Sequence, residues 1–417
     1  MHLADERSPM NTRPDLPPLP PRFLLILLLA ALAAFGPLSI DLYLPALPAI
    51  ARSLATAIEQ VQLTVTVSLG GFCVGMLIYG PLADHFGRRP VLLGGIALFT
   101  LASLACMLAD NVDMLLAARF VQALGGGAAS VLARVVARDI YSPTEAIRMM
   151  SLMGMVTSMA PLVAPLLGSA ILLWGDWRTI FAALLGWGTL ALLASGRWLP
   201  ETLPRERAGG GGAVLAFAAY GRLLRDPAAL GLLLAGGMSF AAMFAYITAG
   251  PFYFIELSDL SPQAYGGLFA VNAFGIFLAN YANSRLVRRL GPQRLAGIGC
   301  LITLLAGLAL PLLQTHVGVI GVAGALFAMV GMTGLLGANC IGLLMHGYPR
   351  NAGVAAALFG ASQFGFGMLA SAAVGYFHDG SGAPMAWVML SAAVLSALGF
   401  LLYRACADER FELQRGR

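Results

Sequence analysis

The chain has 417 residues, of which 59% are hydrophobic and only 11% charged, and its formal net charge is +5. A soluble domain carries about a quarter charged residues, so this chain is solvated mainly by lipid and is no water-soluble enzyme. Its positive charges fall in turns that flank apolar runs, and they form no basic face for nucleic acid.

That length suffices for about twelve membrane spans of ~20 residues with short connections. Residues 1–21 are polar and proline-rich and are expected to form a disordered cytoplasmic tail. The Leu-rich run after Arg22, with Ala31-Leu-Ala33 behind it, has features of a signal peptide. Acids upstream offset Arg22, however, and the apolar run continues well past any cleavage site, so it is read as an uncleaved first span. Apolar runs bounded by turn and charge signals predict spans over 22–46, 60–82, 90–109, 113–137, 146–173 and 177–198. Six more follow at 228–255, 264–288, 293–313, 317–345, 352–377 and 384–404. The fold class expected is an all-α integral membrane protein of two six-helix bundles, 22–198 and 228–404. A linker at 199–227 joins them, and residues 405–417 form a cytoplasmic tail.

The turn between spans 2 and 3 reads Gly80-Pro-Leu-Ala-Asp-His-Phe-Gly-Arg-Arg-Pro90. Gly80 and Gly87 permit close approach and a tight reversal, and Pro90 suits the first turn of a helix. Asp84 is placed to meet either the unpaired N–H groups of the next helix or the arginines that follow. By composition this is a basic loop on the cytoplasmic side. By spacing it resembles the signature loop between helices 2 and 3 of the major facilitator superfamily, with Gly80, Asp84, Gly87, Arg88 and Arg89 filling its key positions. The resemblance implies a conformational latch between the bundles.

Every cationic residue is an arginine. With the N-terminus in the cytoplasm, all but three of the 25 lie in the tails, in the inner loops or at the adjoining span ends. Arg52 and Arg178 lie outside, and Arg119 lies within a span. Both termini are therefore expected inside. In the linker, Arg205-Glu-Arg207 and the run Gly209 to Gly212 are flexible. Val214 to Arg225 is either an amphipathic surface helix or an unstructured tether. Sliding the chain by half its length sets Leu82 on Leu286, Phe86 on Leu290 and Gly87 on Gly291, with Arg288 where Asp84 stood. A diverged repeat of this kind implies two related bundles with a midplane site between them.

Charges deep in spans are costly and mark function by default. Two qualify, Asp41 in span 1 and Arg119 in span 4, lying ~8 Å and ~9 Å from the outer ends at 1.5 Å per residue. At similar depth they are expected to pair. The pair is either a structural salt bridge or a proton site, in which an aspartate responds to solvation and to a cation that comes and goes.

Further stretches resemble the Bcr/CflA-type drug transporters of that superfamily. They are Asp41-Leu-Tyr-Leu-Pro-Ala-Leu-Pro48, Arg138-Asp139, Ala160-Pro-Leu-Val-Ala-Pro-Leu-Leu-Gly168, Trp177-Arg-Thr-Ile-Phe181, Leu199-Pro-Glu-Thr-Leu203 and Ala249-Gly-Pro-Phe252. The likeness runs from about residue 22 to 404. It implies drug:proton antiport in the bacterial inner membrane, with Asp41 and Arg119 coupling protons to substrate. The chain departs from the pattern at Ala123 and Ala160, where glycine is usual.

In span 5, Pro161 and Pro165 share a face, each removing a helix hydrogen bond, and with Gly168 they predict a bend and tight packing. Polar, aromatic and methionine side chains on apolar spans give a candidate substrate cavity of Tyr43, Gln122, Met155, Met159, Tyr246, Phe252, Asn272, Asn339, Gln363 and Phe364. Each also has a plain packing role open to it. Such a cavity suits a small lipophilic substrate.

The five cysteines form no C-x-x-C pair, so neither a disulfide framework nor a metal site is implied, and no cofactor is expected. The alternatives are a proton-coupled transporter of one sugar or amino acid, a membrane-embedded enzyme, and a sensor. Against an enzyme, the chain has no H-E-x-x-H, G-x-S-x-G or P-loop, so energy must come from an ion gradient. The expected partners are the substrate, protons and the lipid bilayer, and the expected state is a monomer.

Overall fold

The computed structural model describes residues 21–141, 143–203, 212–348 and 351–415, and among these it contains helices and no strand. The first span is broken. It comprises α1 (Arg22–Ala33), α2 (Phe35–Asp41), a 3-10 turn (Leu44–Ala46) and α3 (Leu47–Ser53), with a bend of 47° after Ala33. Pro37 accounts for the bend, because its ring clashes with the carbonyl four residues earlier, on Ala33. Pro45 and Pro48 restart the helix beyond Asp41, so the span ends at Ser53, later than its apolar run implies.

The other first-half helices are α4 (Ile58–Phe86), α5 (Arg88–Met107), α6 (Val112–Ile140), α7 (Pro143–Ile171) and α8 (Trp177–Trp198). α9 (Gly212–Arg225) follows, then α10 (Pro227–Pro251), which continues as a π-helical turn to Leu257. The chain closes with α11 (Pro262–Leu290), α12 (Pro292–His316), α13 (Val319–Gly347), α14 (Ala352–Tyr376) and α15 (Ala383–Arg415). Ten of these helices are long and apolar enough to cross a membrane, or 11 spans with the bent first one. The twelfth, α11, is equally long but carries Asn272, Asn280, Asn283 and Arg285. α15 runs on as helix to Arg415, beyond the end expected at 404, whereas residues 1–20 and 204–211 of the tail and linker lie outside the described residues.

Small residues set the packing, as expected where lipid removes any hydrophobic drive between helices. In the first half α6 presents Gly125 to the backbone of Phe99 on α5, and Ala123 fills the space over Gly71 on α4. Alanine at 123 is accommodated because its partner is glycine. In the second half Gly231 on α10 and Gly399 on α15 cross backbone against backbone. The two halves meet where α4 packs on α14 and α7 on α11.

The repeat seen in the sequence has a backbone counterpart. Gly87 (φ 102°, ψ 152°) and Gly291 (φ 78°, ψ 157°) each join two long helices. That region of backbone space is open essentially to glycine alone. α9 is helical, as the amphipathic reading expected. It buries Ala219, Tyr220 and Leu223 against α4, α10 and α14 and leaves Phe217 and Leu224 exposed.

Candidate functional site

Arg119 is sealed in the first half at 1% exposure. Its Nη1 donates to Gln122 Oε1 at 2.5 Å, one turn along α6, and Gln122 Nε2 donates to Ser103 Oγ at 2.7 Å. The guanidinium lies over the Tyr43 ring at 4.2 Å, and the Phe181 ring is 5.7 Å away. The Tyr43 hydroxyl is 2.8 Å from Thr64 Oγ1. Arg119 Nε and Nη2 make no well-formed hydrogen bond, although the guanidinium interacts with the Tyr43 hydroxyl. Tyr43 and Gln122, two of the expected cavity residues, therefore serve to hold Arg119.

Asp41 is also buried, at 4% exposure, but it does not pair with Arg119. No Asp41 oxygen lies within 4.0 Å of an Arg119 nitrogen. The expected ion pair is corrected on this point, and the broken span supplies the reason. Equal depth fixes height but not direction, and the turn after Asp41 sends Tyr43, not the carboxylate, toward α6. Asp41 instead lies within electrostatic range of Tyr265 of the second half. Backbone contacts explain this placement. Gly168 of α7 lies directly against the Leu42 carbonyl, with no room between them for a side chain. Its neighbour Ser169 lies near Gly266, next to Tyr265 on α11. α7 runs through Pro161 and Pro165 as one helix.

On the second-half side, Tyr246 of α10 and Tyr265 and Asn272 of α11 are each about 1% exposed. They sit among Phe254 and Phe269. Asn339 is satisfied within this half, donating to Asn283 Oδ1 at 2.7 Å and to the Leu335 carbonyl at 2.8 Å. Phe364 faces Phe72 across the seam at 5.2 Å, and Gln363 approaches Gly337. Met159 is 47% exposed, outside the buried cluster, and the Met155 side chain lies outside the described residues.

The Asp84 turn is a network larger than its motif. Asp84 is the last-turn residue of α4 and pairs with Arg88 at 2.5 Å. Arg88, itself buried, also reaches Asp139 at 3.3 Å. The N–H groups opening α5 are capped by a carboxylate distant in sequence. Glu201 accepts from Arg88 N at 2.9 Å and Arg89 N at 3.2 Å, and also from Thr202 N and Leu203 N. Thr202 Oγ1 donates to Asp139, and Arg89 to the Gly196 carbonyl. Asp84 thus takes the arginine, while Glu201 takes the helix end. Sequence reasoning gave Glu201 no role. Its signal was a carboxylate just past span 6 and a helix start lacking any acid in its first turn. Nearby, the Tyr220 hydroxyl of α9 donates to the Leu77 carbonyl. Burial pushes that hydroxyl up to about 12, helped by the Asp84 charge.

At the opposite end the seam is tied by side chains. His378 Nδ1 lies 3.2 Å from Glu59 Oε1, and the Thr66 and Ser371 hydroxyls are 2.7 Å apart. Phe252, expected in the cavity, packs on the His378 ring at 4.6 Å and belongs to this closure. A surface pocket of ≈ 430 Å³ opens on this end and includes Pro45, Arg52, Ser169, Trp177 and Gln263.

Comparison with known proteins supplies a context. The family pattern described as Major Facilitator Superfamily matches residues 26–372. The chain is 30% identical to a bicyclomycin resistance protein homolog of Haemophilus influenzae, over 91% of this chain and 95% of that one. It is 32% identical to a chloramphenicol resistance protein of Pseudomonas aeruginosa, over 66% of each. Among solved structures, a D-xylose–proton symporter superposes with TM-score 0.73 at 17% identity, covering 91% of this chain and 97% of the other. At that identity the likeness is one of fold.

Proposed function

The chain belongs to the major facilitator superfamily, and we propose that it exports lipophilic drugs or metabolites across the bacterial inner membrane in exchange for protons. It is a multi-pass membrane transporter, and the bicyclomycin resistance protein homolog aligns along 91% of its length. In this reading the Asp84 end and both termini are cytoplasmic, as the arginine distribution favours.

The observation that carries the coupling is Asp41. It is the one acidic residue buried among the described residues; it has no cationic partner and stands at the meeting of the two halves. A lone charge there costs several kcal/mol, so a seam closed around Asp41 fits its proton-bound form. Opening toward either side hydrates the carboxylate and lets the proton exchange. Arg119, buried with two nitrogens that make no well-formed hydrogen bond, keeps a fixed positive charge in the same half and favours release when Asp41 swings toward it. The Asp84–Arg88–Asp139 network and the Glu201 cap brace the cytoplasmic end of the first half, and Glu59–His378 ties the two halves at the other end. Transport alternates which end is held.

Everted vesicles carrying the full chain test this reading. A panel including chloramphenicol should accumulate inside on energisation and leak out when an uncoupler is added. Accumulation that persists with the gradient collapsed, or none for any compound, overturns it.

A further inference from the structure

Away from water, a polar group without a partner is costly, and native spans rarely keep one. α10 and α11 bring three together. The hydroxyls of Tyr246 and Tyr265 and both polar atoms of Asn272 are buried with no hydrogen-bond partner in good geometry. Tyr246 lies within hydrogen-bonding reach of both Tyr265 and Asn272, aligned too poorly for a full bond to either, so the three form one cluster whose contacts are with one another. Its walls are aromatic: Tyr246 stacks on Phe269 at 5.8 Å, and the Tyr265 ring is 6.2 Å from Phe269 and 6.1 Å from Phe254. A Cβ on Gly250 would lie 2.9 Å from the Tyr265 hydroxyl, so glycine there keeps the hydroxyl in place. Asp41 of the first half lies within electrostatic range of Tyr265.

Charge is distributed unevenly between the halves. The buried charged residues, Asp41, Arg88 and Arg119, all belong to the first half, while the described second half buries only serine, threonine and asparagine among its non-aromatic polar side chains. The second half therefore offers a ligand hydrogen bonds but no counter-charge.

We propose that Tyr246, Tyr265 and Asn272 read an uncharged carbonyl, amide or hydroxyl group of the exported molecule, while the surrounding rings cover its flat apolar part. Hydroxyl and amide groups each both donate and accept, so the cluster suits either polarity of neutral group. A cation would depend on Asp41 and need none of the three. The proposal rests on the export reading and narrows it to neutral, hydrogen-bonding, aromatic-sized substrates.

Two probes separate the possibilities when bound to the purified full chain in lipid nanodiscs. Chloramphenicol is uncharged and joins a nitrophenyl ring to an amide and two hydroxyls. Tetraphenylphosphonium is a lipophilic cation with no hydrogen-bonding group. Tyr265→Phe and Asn272→Leu each remove polar atoms while keeping most of the bulk, and Tyr246→Phe stands in if either fails to fold. Each variant should weaken chloramphenicol about three- to tenfold, as for one lost hydrogen bond, and leave tetraphenylphosphonium within about twofold. Equal weakening of both probes, or of neither, overturns the proposal, as does a wild-type chain that binds only the cation or neither probe. Wild-type efflux in vesicles is measured in parallel. Efflux with unaltered variant affinities removes the cluster alone, and absence of efflux removes the export reading.

Discussion

Replacing Gly168 with alanine tests the contact that registers Asp41 against the second half. A Cβ at 168 would fall 2.9 Å from the Leu42 carbonyl carbon and closer still to its oxygen. Both atoms are backbone, so no rotamer change relieves the overlap, and α7 must move away from the broken first span. Alanine in a helix favours folding by about 1 kcal/mol over glycine. Overpacking against a rigid neighbour costs about 1–3 kcal/mol, toward the upper end where backbone has to shift. A net loss of about 1–2 kcal/mol follows. Gly154, on the same helix, supplies the control, because a Cβ there meets nothing within 4 Å. Thermal unfolding of the detergent-purified protein should show Gly168→Ala lowering the melting temperature by a few degrees and Gly154→Ala leaving it level or raised. Efflux should fall with the first and persist with the second, since Leu42 adjoins Asp41. If both variants melt alike and both pump, the register of the site does not depend on Gly168 and the argument from that contact is wrong.

Asp41→Asn should abolish uncoupler-sensitive efflux while the purified protein still binds chloramphenicol. Continued pumping against a gradient would place the proton elsewhere. Glu201→Gln removes the charge from the cap of α5 and should cost about 1–2 kcal/mol in unfolding, with reduced efflux; an unchanged melting curve would mean the cap is dispensable. Asp84→Asn should slow transport at normal membrane abundance. The pair it breaks is half exposed and contributes about 1 kcal/mol or less, enough to move a balanced equilibrium roughly fivefold. Turnover equal to wild type would deny the turn its latch role.

Much of the fold was legible because lipid leaves few choices. A backbone in hydrocarbon must be helical, so apolar runs and arginine turns located the spans, and the glycine at each repeated turn was visible as residue type. Helix ends were less legible. The polar stretches at Glu59 and at Asn283 to Arg289 read as loops or span ends, yet helix continues through them because tertiary packing overrides composition. The Glu59–His378 tie was hidden for the same reason, since each residue alone looks like a span terminus. Glu201 was hidden by distance along the chain. Its partners on α5 lie more than a hundred residues earlier, and only the fold brings them together.

Asp41 and Arg119 show most clearly what depth reasoning omits. Counting residues from a span end gives height in the membrane, but a contact also requires direction around the helix axis. In a regular helix the two are linked at 100° per residue, and direction follows from sequence. Pro37, Pro45 and Pro48 destroy that link in the first span. In the proposed cycle the same break lets the carboxylate move more freely than a regular helix would allow. A short segment with a helix break on either side of Asp41 can turn between Tyr265 and Arg119 without dragging a full span along. A permanently paired Asp41 would hold its charge in every state and bind a proton poorly in all of them. Its separation from Arg119 here supports exchange of partners over a fixed salt bridge: the neutral cluster of the second half receives the protonated side chain, and the guanidinium of the first receives it charged.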